Sequence, residues 1–109
     1  MIPAEALATA RAWVRQELRI RHLPFLPEEI EEALFLTGST AWTFRYADLA
    51  VEPLADSWKL EFTVLAILKK AFRDYLEPAR YGYRVSLLLD QNDHNVTELT
   101  IEAAGPSTA

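Results

Sequence analysis

The 109-residue sequence contains no cysteine and only three glycines. Without cysteine the chain has no disulfide framework, no thiolate nucleophile and no sulfur-ligated metal site. Gly38, Gly82 and Gly105 are too far apart to form a phosphate-cradling loop, and no serine lies in a Gly-x-Ser-x-Gly motif. These absences argue against the redox, P-loop, dinucleotide-binding and serine-hydrolase classes.

Positive charge is also scarce, because 11 Lys and Arg stand against 16 Asp and Glu, a net charge of −5. This balance disfavours nonspecific binding to nucleic acid or to an anionic membrane. No stretch approaches the ~18 consecutive apolar residues of a membrane span, and the N-terminus lacks the basic and apolar segments of a secretion signal. We therefore expect a soluble, cytoplasmic protein without a membrane partner.

Apolar residues, in contrast, are abundant and make up 50% of the chain. A chain of this length forms one compact domain that buries roughly 60–70% of its unfolded surface. We expect a single α+β domain over residues 1–104 and a disordered tail over residues 105–109.

Two helices are predicted in the first third of the chain. Residues 3–22 have helical periodicity, and Pro24 ends this helix. A second helix starts at Pro27 and ends at Gly38. Its last turn, residues 35–37, could instead be extended. The apolar face of the first helix consists of Ala6, Leu7, Ala10, Trp13, Val14 and Leu18.

The periodicity changes to two from Thr40 onward, with Trp42, Phe44 and Tyr46 on one side of a predicted strand. Residues 57–62 alternate again and are expected to pair with this strand, although residues 54–62 could instead extend the next helix. Residues 64–77 place eight apolar side chains on one broad face, which predicts a third helix.

A second hairpin is predicted over residues 83–103, with its turn in the polar segment 90–95. The expected architecture is an antiparallel sheet of about four strands with helices packed on one face, in the order ααββαββ.

Few residues suggest chemistry. His22 and His94 are the side chains that titrate near neutral pH, and neither has a convincing catalytic neighbour. Asp90, Asn92 and His94 partly match a calcium loop, but Asn95 and Ile101 stand where that loop needs glycine and glutamate. A solvated turn is the favoured interpretation, and we predict no catalytic residue, metal or cofactor.

Charged residues supply the remaining candidates. Glu17 lies on the apolar face of the first helix, where it needs a partner such as Arg21 one turn later, unless the helix end emerges from the core here and leaves both side chains in solvent. Four glutamates cluster at the start of the second helix, either as compensation of the helix dipole or as a surface for a basic partner. The candidate binding residues are Trp13, Glu17, Arg21, Glu28, Glu29, Glu32, Trp42 and Arg45.

The leading hypothesis is a non-catalytic protein-interaction module of the adaptor, chaperone or neutralising type. We expect it to form a homodimer through the Trp13 face, the third helix or a sheet edge, and to bind a basic partner through its acidic surface. Residues 1–22 have a net charge of +2 and residues 23–63 a net charge of −6, which could orient a partner or a second copy.

Two alternatives remain. One is a small-ligand-binding or hydrolytic domain whose pocket is lined by Trp42, Phe44, Tyr46 and Tyr83, with Arg45, Glu17 or His94 supplying polarity. The other is nucleic-acid binding through the arginines of the first helix, which the net charge disfavours; these are Arg11, Arg15, Arg19 and Arg21.

Overall fold

A four-stranded antiparallel sheet in the order β1-β2-β3-β4 forms most of the molecule. The computed structural model describes residues 2–104, so the predicted tail lies outside the described residues. The elements are α1 (Ala4–Glu17), a π-helical turn (Leu18–His22), α2 (Glu28–Thr37), β1 (Trp42–Pro53), β2 (Ser57–Leu68), a 3₁₀ turn (Lys70–Phe72), β3 (Arg80–Asp90) and β4 (Val96–Ala103). The α+β class and the two hairpins are confirmed.

Helix α1 packs on one face of the sheet through small residues. Ala6, Ala10, Val14 and Leu18 follow one another at four-residue spacing and are all fully buried. Such spacing places side chains on one face of a helix, and the two alanines allow the helix backbone to approach the strands closely. Trp13, which the periodicity places on the same face, is 48% exposed and lies at the edge of the contact.

The predicted first helix continues to His22, but its last turn is wider than an α-helix. The amide of Leu23 donates to the carbonyl of Leu18 over 2.7 Å, a five-residue spacing. In a regular α-helix these two leucines would point about 140° apart. The wider turn allows both to be buried, and Pro24 follows directly, as predicted.

Helix α2 begins and ends where the sequence predicts, including the last turn, which is helical. Gly38 adopts the left-handed conformation at φ 69°, and the amide of Ser39 donates to the carbonyl of Leu34 over 2.9 Å. This Schellman-type end favours glycine, because a Cβ strains the left-handed conformation. No described residue of α2 is fully buried; Ile30 and Leu34 alone among its residues pack against the core, and both are partly buried.

The predicted third helix over residues 64–77 is wrong. Strand β2 continues to Leu68, pairing Val64 with both Tyr46 of β1 and Tyr83 of β3. A 3₁₀ turn over residues 70–72 then follows. Continuous apolar runs fit a helix or a strand buried between two neighbours, and here the pairing on both sides selects the strand.

The core lies between the sheet and the helices. On β2, Trp58, Leu60, Phe62, Val64, Ala66 and Leu68 alternate into it. The aromatic row Trp42, Phe44 and Tyr46 of β1 lies on the same face, as predicted. The other face of the sheet is mostly polar and carries the Lys59–Glu61 ion pair at 3.7 Å.

Both edge strands contain a β-bulge. In β1, Asp48 and Leu49 stand opposite one residue of β2, and in β4, Glu98 and Leu99 stand opposite one residue of β3. Asp48 and Glu98 have positive φ values of 56° and 49°. A bulge twists an edge and interrupts its row of hydrogen-bonding groups, so each edge presents short regular segments to another strand.

The molecule is flatter than a typical domain of its length. Its radius of gyration is 15.1 Å and its extents are 47 × 33 × 20 Å, whereas a compact domain of this size has a radius of about 13 Å. The molecule consists of one layer of helices on one sheet, which accounts for this flat shape. Such an arrangement exposes a large surface area relative to the number of residues that it buries.

The turn between β3 and β4 is organised by Asp90. Its carboxylate oxygen Oδ1 accepts hydrogen bonds from the amides of Asn92 and Asp93 over 2.7 and 3.1 Å. These two bonds favour the charged carboxylate and hold the pKa of Asp90 below its ordinary value. The segment is therefore a hydrogen-bonded turn, as the sequence predicts.

Replacing Asp90 by asparagine is expected to make stability less dependent on pH in the acid range. A lowered pKa stabilises the native state above the unfolded-state pKa, and this contribution is lost as the pH falls through the folded-state pKa. The melting temperatures of wild type and Asp90→Asn should therefore differ at neutral pH and converge as the pH falls below the ordinary pKa of an aspartate, about 4. Asp74→Asn, in the exposed loop before β3, controls for the loss of one charge; an unchanged gap across this range would contradict the assignment.

Candidate functional site

A groove runs between the C-terminal half of α1 and helix α2, with a volume of about 960 Å³. We call it the helical groove. Its α1 wall contains Arg15, Arg19 and Ile20, and its α2 wall contains Glu28, Glu31, Glu32 and Phe35. Pro24, Phe25 and residues 39–42 around the start of β1 also line it.

Local hydrogen bonds hold α2 in position. The Glu31 carboxylate accepts a hydrogen bond from the amide of Leu26 over 3.0 Å, which fixes the chain entering the helix. The glycine turn after Thr37 fixes the chain leaving it. Glu31 therefore has a structural role, and Glu28 and Glu32 remain as exposed carboxylates on the groove wall.

The two walls carry opposite charge. Arg15 and Arg19 lie one turn apart on α1, and Glu28 and Glu32 lie one turn apart on α2. Within residues 2–104 the ion pairs closer than 4.0 Å are Glu17–Arg21 and Lys59–Glu61, so no pair crosses the groove. The groove thus presents a basic and an acidic stripe that do not neutralise each other by direct contact.

Large apolar side chains surround the same groove. Phe35 is 83% exposed, Leu36 beside it is 75% exposed, and Ile20 and Phe25 are also more than half exposed. Single exposed apolar residues are common on protein surfaces, but a group of them around one concavity marks an interaction site.

Arg15 also helps to hold α1 on the sheet. Its Nη1 donates a hydrogen bond to the Tyr46 hydroxyl over 3.1 Å. The Arg11 guanidinium lies 4.6 Å from the centre of the Tyr46 ring, a cation–π contact. Two of the four arginines of the first helix therefore bind a tyrosine of β1, while Arg21 pairs with Glu17 over 2.8 Å. They do not form a common basic stripe of the kind that nucleic acid would need.

The structure brings three of the candidate binding residues together. Glu28, Glu32 and Trp42 all line the helical groove. Glu29 and Trp13 are exposed but do not line it. The predicted partnership of Glu17 with Arg21 is confirmed as an ion pair on the partly exposed side of α1.

The aromatic row does not form the predicted pocket. Trp42 and Tyr83 are each only 5% exposed, and Phe44 and Tyr46 pack against the buried cluster. Burial also raises the pKa of the Tyr83 phenol. Arg45 lies on the opposite face of the sheet, because its neighbours Phe44 and Tyr46 point toward the core. This row is core, and α1 covers it.

The histidines pack against aromatic rings rather than against acids or nucleophiles. His22 lies edge-on to Tyr83 at 5.7 Å, and His94 lies 6.2 Å from Trp58. Across residues 2–104, no group of three or more His, Asp or Glu side chains has an arrangement that could hold a metal ion.

Sequence reasoning missed the apolar part of the groove. Ile20, Phe25 and Phe35 have the residue types of a core, and nothing in their spacing distinguishes them from buried residues. The only available signal was that Phe25 lies between two prolines, Pro24 and Pro27, in a connection that is too short to cover it.

The sequence matches no protein-family model, and comparisons with curated proteins and with solved structures give no significant match. None of the helices in the described part of the chain is long and apolar enough to cross a membrane.

Proposed function

We propose that this chain is a non-catalytic, cytoplasmic protein-interaction module that binds another protein chain through the helical groove. The observations that support the proposal are the exposure of Phe25 and Phe35, which both line the groove, and the lack of a fully buried residue on α2. Burying two such side chains against a partner would contribute about 3–6 kcal/mol of apolar transfer free energy before the cost of association. A helix that is amphipathic and weakly packed gains most of its stability from such a contact.

Protein binding fits this surface better than the alternatives. A small-ligand site buries most of its ligand among enclosed apolar walls, whereas the aromatic residues predicted to form that site are core. Nucleic-acid binding would require a continuous positive surface, whereas Arg19 faces a wall that contains Glu28 and Glu32.

The proposal is tested by site-specific photo-crosslinking in the source cells. A photoreactive amino acid placed at Phe35 should cross-link to a discrete protein, either a second copy or a different chain, because this side chain lies at the groove and is exposed. Mass spectrometry of the product identifies the bound chain.

The matched control places the same amino acid at Thr43, which is exposed on the opposite face of the sheet. A product at position 35 that is absent at position 43 supports the proposal. Equal labelling at the two positions, or no protein product at position 35, would contradict it.

A further inference from the structure

From the charges of the helical groove, we infer that its occupant is a second copy of this chain, related by a twofold axis. This inference depends on the proposed function, since it names the protein that the groove binds. Three features of the molecule support it: the opposite charges of the two groove walls, the exposed apolar side chains at the groove, and the poor suitability of the other surfaces for self-association.

An occupant of the groove must carry charges of both signs. Arg19 on one wall needs an acidic group, and Glu28 and Glu32 on the other need a basic group. A purely basic segment would satisfy the α2 wall but would be repelled by the α1 wall. The partner must therefore carry separate acidic and basic groups on its own surface.

The chain itself has this split. In a twofold dimer each residue contact occurs twice with the roles exchanged, so the Arg19 wall of one copy meets the Glu28 and Glu32 wall of the other at both ends of the interface. Arg15, the other arginine of the same wall, is half-buried and donates to Tyr46, so the pairing depends on the exposed Arg19. The net charges of +2 for residues 1–22 and −6 for residues 23–63 favour the same pairing of opposite segments.

The same arrangement would cover the exposed apolar side chains. Ile20, Phe25 and Phe35 line the groove and are more than half exposed in the single chain. A twofold contact doubles this set and forms an apolar centre with charged groups at its rim, which is the usual composition of a homodimer interface.

The other surfaces are less suitable for self-association. Both sheet edges are interrupted by bulges at Asp48 and Glu98, which hinder the pairing of edge strands. The uncovered sheet face carries charged side chains such as Lys59, Glu61 and Arg84.

Charge reversal tests the pairing. Arg19→Glu places a carboxylate at the position that faces Glu28 and Glu32 of the other copy, and E28R/E32R places guanidinium groups at the positions that face Arg19. Each variant alone should lose self-association, with a rise of at least about a hundredfold in the dimer Kd, because like charges would face each other twice. Mixed in equal amounts, the two variants should form a heterodimer, since every facing pair is then opposite in sign. Sedimentation equilibrium measures the masses.

The control K59E/E61R reverses an ion pair on the uncovered sheet face and should associate as wild type does. Circular dichroism and melting temperature verify that each variant is folded; these three charged side chains of the groove, Arg19, Glu28 and Glu32, are exposed and are not part of the core. A wild-type dimer, two monomeric variants and a mixed heterodimer together support the inference.

Three results would overturn it: a monomeric wild type, variants that associate as wild type does, or variants that stay monomeric when mixed. Failure here is distinguishable from failure of the proposed function. If the purified chain is monomeric but the probe at position 35 captures a different protein in cells, the groove still binds protein and only the choice of occupant is wrong. If the probe captures no protein, both are wrong.

Discussion

Replacing Leu60 by alanine is expected to lower the free energy of unfolding by about 2–5 kcal/mol. Leu60 is fully buried in the central strand β2, opposite Leu87 of β3 and Val51 of β1. Removal of its side chain therefore leaves a cavity with a paired strand on each side, and these strands cannot easily move to fill it. Because a domain of this size has a total stability of only about 5–15 kcal/mol, this single change should lower the denaturant midpoint strongly.

Leu54→Ala is the matched control for this measurement. Leu54 lies in the loop between β1 and β2 and is 42% exposed, so the same change of atoms should cost less than about 1 kcal/mol. Urea unfolding followed by tryptophan fluorescence measures both variants. Similar losses at the two positions would contradict the placement of Leu60 in the core.

Ala10→Glu is expected to cost about 3–5 kcal/mol, because it introduces a buried carboxylate without a designed partner. Ala10 is fully buried between α1 and the sheet, and residues 2–104 contain no fully buried polar or charged residue. Glutamate is a good helix former, so the loss would come from burial and not from helix propensity. Burial raises the pKa of such a carboxylate, and the loss should therefore shrink as the pH falls and the group becomes neutral.

Ala8→Glu separates burial from the change in residue type. Ala8 lies on the same helix but is exposed, and surface substitutions usually change stability by less than about 0.5 kcal/mol. Thermal unfolding at two pH values measures both variants. Equal effects at positions 8 and 10 would mean that α1 does not contact the sheet through its alanines.

The sequence predicts the first two helices well because their ends carry unambiguous signals. Pro24 and Pro27 restrict the backbone in any tertiary context, and Gly38 readily adopts the left-handed conformation that ends a helix. Residues 64–68 lack such a signal. Val64, Leu65, Ile67 and Leu68 satisfy a helical face as well as a strand, and only the pairing with β1 and β3, which is a long-range property, decides between them.

The candidate site is predictable only in part, for a related reason. Glu28 and Glu32 follow from the polar face of α2, and Trp42 follows from the start of β1. That Phe35 is exposed depends on how few contacts α2 makes with the rest of the fold. An apolar residue at a binding surface has the same residue type as one in the core, so sequence alone does not separate them.

The bulges at Asp48 and Glu98 also affect the tendency of the chain to aggregate at high concentration. Open-ended fibres grow when identical flat strands stack in register, and each new chain must offer an uninterrupted row of amides and carbonyls. Asp48 and Glu98 have left-handed backbone conformations in the two edge strands, where they interrupt this row and place negative charge beside it. Growth into filaments is thereby hindered at both edges of the sheet, which lowers the aggregation risk that exposed apolar side chains such as Phe25 and Phe35 bring.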